Sequence, residues 1–233
     1  MELQPWEFLL KNLVWKQLDF IDGKKVLDFG SGHGVTASHF AKNNQVVAVE
    51  PSEEMLLTPD TENDYIQIKG GIESLRELET ESFDVILCHN VLEYVEDKEE
   101  IFKEFDRLLK PDGIISVVKH NRAGRVMQMV VLLNDFEEAK NLLNGGNSMA
   151  KQFGEIKYYE DEYLIEKLSG YEVVKNYGIR TFWDLQQNQD IHKDREWQNN
   201  MMEMEELVAE IDEYREIAFF HHLILKKLNQ LTI

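Results

Sequence analysis

Apolar residues recur at three- and four-residue steps through Trp6, Leu9, Leu10, Leu13, Val14 and Leu18. That is the period of one helical face, so residues 5–21 read as an amphipathic helix with Pro5 in its first turn. Beyond it the period changes. Short apolar runs at 25–29, 46–50, 65–69, 83–88 and 114–119 read as buried strands. Helical stretches separate them: one at 35–43, one opening at Pro51-Ser52-Glu53-Glu54 with Ser52 as N-cap, and one at 98–109. Lys110-Pro111-Asp112-Gly113 is a turn signal that stops the last of these. Strands alternating with helices over the first 120 residues predict an α/β protein, a parallel sheet with helices on both faces.

After residue 120 the rhythm differs. Residues 122–143 read as one helix, 144–148 as a flexible loop, and 160–168 as a short helix closed by Ser169-Gly170. Residues 171–182 and 217–227 are strand-like. Between them, residues 186–216 carry ten acids against three bases, the pattern of a long solvated helix. Two late strands joined in this way form an antiparallel pair at one sheet edge.

The chemistry concentrates at Val26-Leu27-Asp28-Phe29-Gly30-Ser31-Gly32-His33-Gly34, with Glu50 twenty residues after Gly30. Glycines allow a tight turn and close approach to a ligand, and a carboxylate ending the second strand can accept from both hydroxyls of a ribose. The dinucleotide fingerprint G-x-G-x-x-G would require a third glycine where Val35 stands. The pattern is D-x-G-x-G-x-G instead. It resembles the first motif of the class I methyltransferases that use S-adenosyl-L-methionine, whose Rossmann-like sheet is mostly parallel with an antiparallel C-terminal edge strand. Later segments narrow the likeness: His89-Asn90-Val91-Leu92-Glu93-Tyr94-Val95, Leu109-Lys110-Pro111-Asp112-Gly113, His120-Asn121 and Gly178-Ile179-Arg180-Thr181-Phe182. These resemble the bacterial SmtA-type tRNA 5-carboxymethoxyuridine carboxyl-methyltransferases, and the likeness spans nearly the whole chain.

The resemblance implies one domain over 1–233. It comprises an N-terminal helix (1–24), a cofactor-binding half (25–120), and a lid and substrate half with the late strands (121–233). Asp28 would meet the ammonium of the cofactor, and Gly30, Ser31, Gly32 and Gly34 its methionine moiety. Glu50 would take the ribose, Pro51, Ser52 and Met55 the adenine side, Gly71 and Ile72 the adenine edge, and His89 the flank of the sulfonium. An ordinary strand-end histidine is the competing reading of His89. The family's N-terminal arginine near the cofactor carboxylate is replaced around Leu10, with Lys11 beside it.

His120, Asn121, Arg122 and Arg180 are the expected substrate contacts, with Arg125 a further cation and residues 122–152 the lid. Surface ion pairs are the alternative for each arginine. A carboxylate acceptor is already ionised at neutral pH, so no general base is required, and none is evident in the sequence. His33 reads as a spacer, and His221 and His222 as opposite faces of the last strand.

Net charge changes the picture most. At −19 it opposes nucleic-acid binding, although residues 119–125 hold three bases and no acid. No Cys/His/Asp/Glu grouping has metal-ligand spacing, so no metal is expected. No apolar run suits a membrane span and no leader is apparent, and the single cysteine, Cys88, sits in an apolar run. A cytoplasmic protein is the expectation. Three functions remain: a methyltransferase for a carboxylate or hydroxyl, with modified tRNA wobble uridine as the family-implied acceptor; one for an anionic small metabolite; and a non-catalytic adenosine-ligand scaffold.

Overall fold

The computed structural model describes residues 3–60, 62–150 and 154–228. Its strands are β1 (Lys25–Phe29), β2 (Gln45–Glu50), β3 (Ile66–Lys69), β4 (Phe83–His89), β5 (Leu109–His120), β6 (Ser148–Ala150), β7 (Gly154–Ile156), β8 (Tyr171–Ile179) and β9 (Phe220–Lys227). A seven-stranded sheet has the order β3-β2-β1-β4-β5-β9-β8. Pairings from β3 through β5 are parallel, and β9 runs antiparallel to both β5 and β8. This is the Rossmann-like methyltransferase sheet with its antiparallel edge. The helices are α1 (Pro5–Gln17), α2 (Val35–Ala41), α3 (Glu53–Leu56), α4 (Ile72–Leu75), α5 (Lys98–Leu108), α6 (Arg122–Gln128), α7 (Phe136–Leu143), α8 (Asp161–Lys167), α9 (Arg195–Val208) and α10 (Asp212–Arg215).

The central strands are apolar on both sides because helices cover both faces. Val26, Val46, Ala48, Val85 and Leu87 face α1 and α2, packing on Leu9, Leu13, Ala37 and Phe40. Their neighbours Leu27, Val47, Val49, Ile86 and Cys88 face the other way, onto Ile101, Phe105 and Leu108 of α5 and Leu164 of α8. On α5, Ile101, Phe102, Phe105 and Leu108 form one apolar stripe, and Asp97 caps the helix by accepting from the Glu100 N–H at 3.1 Å. The chain leaves β1 toward β2 and β3, then returns to β4 on the other side. The switch point where ligands bind in open sheets therefore lies between the ends of β1 and β4.

Several expected boundaries shift. α1 ends at Gln17 rather than near 21. The expected helix 122–143 breaks: α6 runs into a single wide turn at Met129–Leu133, Asn134 takes a left-handed conformation (φ 54°), and Asp135 caps α7 through the Glu138 N–H at 3.0 Å. The expected loop 144–148 leads into the hairpin-like pair β6–β7; residues 151–152 of the expected lid lie outside the described residues. The turn at 110–113 is a bulge within β5, with Asp112 at φ 61°. The acidic segment is not one helix. A tight turn at Gln189–Lys193 precedes α9, and α10 follows separately. Nor is all its acid solvated, because Glu205 is 1% exposed.

Candidate functional site

Glu50 ties the strand ends together. Its Oε2 accepts from the Gly32 N–H and its Oε1 from the Ser52 N–H, both at 2.8 Å, so the glycine loop and the turn after β2 close on one buried carboxylate. Each oxygen keeps a second lone pair for a hydroxyl. Gly30 and Gly34 have positive φ (76° and 75°), and a Cβ there would lie 2.3 Å from Val91 Cγ2 or 1.9 Å from the Tyr65 hydroxyl. These two glycines therefore answer to the protein's own packing, not only to a ligand. His33 is more than a spacer: its Nδ1 lies 3.1 Å from the Met55 carbonyl and its own carbonyl accepts from the Asp60 N–H at 2.7 Å, which lays residues 55–60 along the loop. Ser52 caps α3 as expected, accepting from the Met55 N–H at 3.4 Å. Pro51 is exposed beside it. Gly71, at the start of α4 before Ile72, gives its N–H to Glu73 at 2.7 Å and its carbonyl to the Ser74 N–H.

At the switch point is a cavity of about 80 Å³ between α1 and the ends of β1, β4 and β5. Lys11 and Trp15 enter it from α1, Asp28 from β1, Ser31 from the glycine loop, and His89 and Asn90 from the end of β4. Four buried polar atoms on its wall have no hydrogen-bond partner among the described residues: Asp28 Oδ2, Asn90 Oδ1, Ser31 Oγ and Trp15 Nε1. Unpaired buried polar groups are costly, and here two acceptors and two donors share one small space. Lys11 Nζ donates to Thr36 at 3.1 Å. Burial pushes the Asp28 carboxyl up to about 7 despite the opposing Lys11 charge, and the same burial lowers Lys11. The set fits a zwitterionic amino-acid group, acceptors for its ammonium and donors for its carboxylate.

His89 is held by a buried chain. Its Nε2 and His222 Nε2 each lie 2.8 Å from the Ser116 hydroxyl, and His222 Nδ1 lies 2.7 Å from Gln17 Oε1. With the Gln17 carbonyl accepting from His222, Ser116 must donate to His222 and accept from His89, leaving His89 Nδ1 as a lone pair. Burial holds His89 well below the usual histidine range and His222 near about 3, so both rings are neutral.

A second cavity, of about 510 Å³, lies one step further out. Trp6, Trp183, Phe219 and Phe220 give it aromatic walls, and His120, Gln128, Arg180 and Asp184 are its inner polar groups. Arg180 does not present a free cation there. Its Nε donates to Asp184 Oδ2 at 2.8 Å and its Nη2 to Oδ1, its backbone is left-handed (φ 62°), and its guanidinium packs 4.9 Å from the Phe219 ring centroid. Three other expected substrate cations or contacts are likewise engaged. Asn121 is buried: it caps α6 through the Ala123 N–H and donates to the Glu216 and Ala218 carbonyls at 2.9 and 2.8 Å. Arg122 donates to the Gly146 and Leu142 carbonyls at 2.5 and 3.3 Å, and Arg125 donates to Gln128. Lys119, the first base of the same run, is 2% exposed and donates to Asp161 at 2.7 Å.

His120 was expected here and lies on the cavity wall, with a partner the sequence reading missed. Its Nδ1 is 3.1 Å from Glu93 Oε1, and that oxygen also accepts the His120 N–H at 2.6 Å. The signal was topological: β4 and β5 are adjacent parallel strands, so segments leaving their ends must meet. Glu205 was missed for a similar reason. It accepts from the N–H groups of Thr181, Phe182 and Trp183 at 2.7, 2.8 and 3.1 Å, fixing the turn that bears Arg180 and Trp183.

The sheet order and the switch-point cavity define a class I methyltransferase architecture. Residues 27–117 match the family model described as a methyltransferase domain, and the chain is an S-adenosylmethionine-dependent methyltransferase. Over 94% of its length the chain is 25% identical to the tRNA 5-carboxymethoxyuridine methyltransferase of Escherichia coli K12, covering 88% of that protein. A ubiquinone biosynthesis O-methyltransferase of Neisseria meningitidis is 33% identical over 42% of this chain and 48% of its own. Among solved structures, a SAM-dependent methyltransferase from Archaeoglobus fulgidus superimposes with a TM-score of 0.60 at 18% identity, covering 94% of this chain and 93% of that one. Among the described residues no helix is long and apolar enough to cross a membrane, and no three His, Cys, Asp or Glu residues are grouped to hold a metal.

Proposed function

We propose that this protein transfers a methyl group from S-adenosylmethionine to an oxygen of a small, ring-bearing acceptor held in the 510 Å³ cavity. One observation carries this reading: the two cavities are neighbours built on the same two elements. Val118 lines the smaller and His120 the larger, two residues apart on one face of β5 and so about 7 Å apart. Trp6 and Leu10 on α1 are divided in the same way, one helical turn or about 6 Å apart.

When bound, the cofactor supplies an electrophilic methyl on a sulfonium. The chain's own task is to hold, align and dry the reacting groups. Asp28 Oδ2 and Asn90 Oδ1 would hold the ammonium; Lys11, Ser31 and Trp15 would hold the carboxylate, with Lys11 standing in for the arginine of the related family. The nucleoside exceeds the small cavity and would lie outside it, along Gly32, Gly34 and Glu50, with Pro51, Ser52 and Met55 on its adenine side and Gly71 and Ile72 at its edge. His89, neutral and fixed, would flank the sulfonium. A cavity of this size and aromatic character suits a molecule bearing one or two rings. The buried cysteine suits a reducing cytoplasm.

A second reading, modified tRNA as acceptor, is favoured by the Escherichia coli relative, whose likeness runs through 94% of this chain. The net charge of −19 and the internal engagement of Lys119, Arg122 and Arg125 support the smaller acceptor.

Calorimetry with S-adenosylhomocysteine tests the cofactor site. The wild type binds it, and Glu50→Ala weakens binding by about 1–3 kcal/mol by leaving two hydroxyls without an acceptor. Unaltered affinity would remove Glu50 from the site. Filter retention of bulk tRNA separates the acceptors: salt-sensitive retention favours RNA, and none favours the small molecule.

A further inference from the structure

On the wall of the larger cavity His120 is backed by a buried acid, and this pair has no task in binding. Glu93, on the turn Leu92–Tyr94 after β4, is wholly buried, and its Oε2 has no partner among the described residues. Its other oxygen accepts both the backbone N–H and Nδ1 of His120. Because that oxygen already accepts the backbone N–H, it accepts from the ring as well, so Nδ1 carries the hydrogen and Nε2 the lone pair. No hydrogen bond engages Nε2 among the described residues, and the ring lines the cavity. Aromatic neighbours fix its plane, Phe220 at 4.7 Å and Phe219 at 6.0 Å between centroids.

We infer that His120, oriented by Glu93, is the general base of the methyl transfer, and that the acceptor is a phenol-type hydroxyl still carrying its proton. This rests on the larger cavity being the acceptor site. An anionic carboxylate would need no base, and the cation on the cavity wall facing it, Arg180, already has its charge met by Asp184. A neutral hydroxyl gains from the pair. In the step, the O–H proton moves to His120 Nε2 and the oxygen forms a bond to the methyl carbon. The carbon–sulfur bond breaks with its electron pair going to sulfur, leaving a neutral thioether. The new imidazolium sits against the Glu93 carboxyl, which supports the charge the ring gains, and water later removes the proton. The charged or titratable groups around His120 include Glu93 and Tyr94 on the turn, Tyr158 ahead of α8, and Arg180, Asp184, His192 and Lys193 across the cavity. Glu93 is a positioning residue, and His120 touches the acceptor.

The test uses two phenols of similar shape, 4-methylphenol, protonated like tyrosine with a pKa of about 10, and 4-nitrophenol, largely ionised just above neutral pH. Methyl transfer is followed by release of S-adenosylhomocysteine from the full chain. Wild type methylates both. His120→Ala and His120→Asn lower transfer to 4-methylphenol by about 10²–10⁴-fold, the usual worth of a positioned base, and transfer to 4-nitrophenol by less than about tenfold. Glu93→Gln shows the same ordering with a smaller loss. Binding of S-adenosylhomocysteine, read separately, stays within about twofold of wild type in each variant and reports folding. Equal losses on the two phenols, no loss, or a wild type that methylates neither phenol would overturn the inference. A wild type that does not bind S-adenosylhomocysteine would instead overturn the cofactor reading beneath it.

Discussion

With Asp28 holding the cofactor ammonium as proposed, its protonation would make cofactor binding a measurable proton exchange. Burial raises its carboxyl to about 7 in the free protein, so near pH 6 about nine-tenths of the molecules carry the proton there. A ligand ammonium at hydrogen-bond range favours the ionised form and lowers a carboxyl by about 1–3 units. Taking about 2, the bound pKa falls to about 5, and about a tenth remains protonated at pH 6. Binding should therefore release about 0.8 proton at pH 6, and about half a proton at pH 7. The assay is titration calorimetry with S-adenosylhomocysteine in phosphate and in an amine buffer, whose ionisation enthalpies differ widely; the difference in observed heat divided by that gap gives protons released. Lys11, lowered by the same burial, contributes with opposite sign if it gains a proton against the ligand carboxylate. Asp28→Asn isolates the two, abolishing release and leaving only uptake, while affinity falls about 10–100-fold with the lost charge-assisted hydrogen bond. Heats independent of buffer at pH 6, or release that survives in Asp28→Asn, would refute the assignment of Asp28 to the ammonium. The sign also fixes a stability trend. A carboxyl raised on folding stabilises most below its unfolded pKa of about 3.9, and that contribution is lost as pH rises through about 7.

Two further predictions concern buried acids. Glu205→Ala leaves the N–H groups of Thr181, Phe182 and Trp183 without their shared acceptor, and should cost about 3–5 kcal/mol in urea unfolding; a loss below about 1 kcal/mol would mean the turn does not depend on it. Asp161→Asn removes the anion paired with buried Lys119 and with His221, at about 3–5 kcal/mol. Burial alone would raise the Asp161 carboxyl, but the His221 hydrogen bond and Lys119 charge hold it well below the usual range. Its contribution is present above about pH 4 and lost as acid brings pH toward the folded pKa, so Asp161→Asn should flatten the acid limb of the stability curve.

What the sequence made legible is what local pattern encodes. β1 spans 25–29 as its apolar run indicates, and the glycine loop and Glu50 meet because parallel neighbours place their ends together. The helix break at Asn134 was missed although Asn134-Asp135 ends the apolar run 130–133 with a residue that tolerates a left-handed backbone and one suited to cap a new helix. Asn121 carried a readable signal, a capping residue type immediately ahead of a helix, which argued for a structural role over a substrate contact. Other pairings span the chain: Lys119 with Asp161, and Glu205 with the turn at 181–183. No spacing rule links such residues, because the sheet and its covering helices, not the local chain, bring them together. Arg180 and Asp184 are four apart, yet no helix joins them. A left-handed backbone at Arg180 and a tight turn at Trp183–Leu185 make that pair.

In the proposed acceptor site these internal pairings would govern how an acceptor is chosen. Arg122, Arg125 and Arg180 are the cations the sequence offers to an anionic acceptor, with ion pairs to nearby acids the alternative for each. In the fold Lys119, Arg122 and Arg180 are met by protein carboxylates or carbonyls, and the cavity next to the cofactor pocket has aromatic walls and a matched ion pair. Charge attraction is therefore a weak discriminator between acceptors there. Shape against Trp6, Trp183, Phe219 and Phe220 would select a ring, and the ability to give up a proton to His120 would select the group that receives the methyl. Both selections would act near the turn of α1 that separates Trp6 from Leu10, because the N-terminal helix lines both cavities. A change at Trp6 should alter acceptor preference without moving the groups around Asp28, whereas a change at Lys11 should do the reverse.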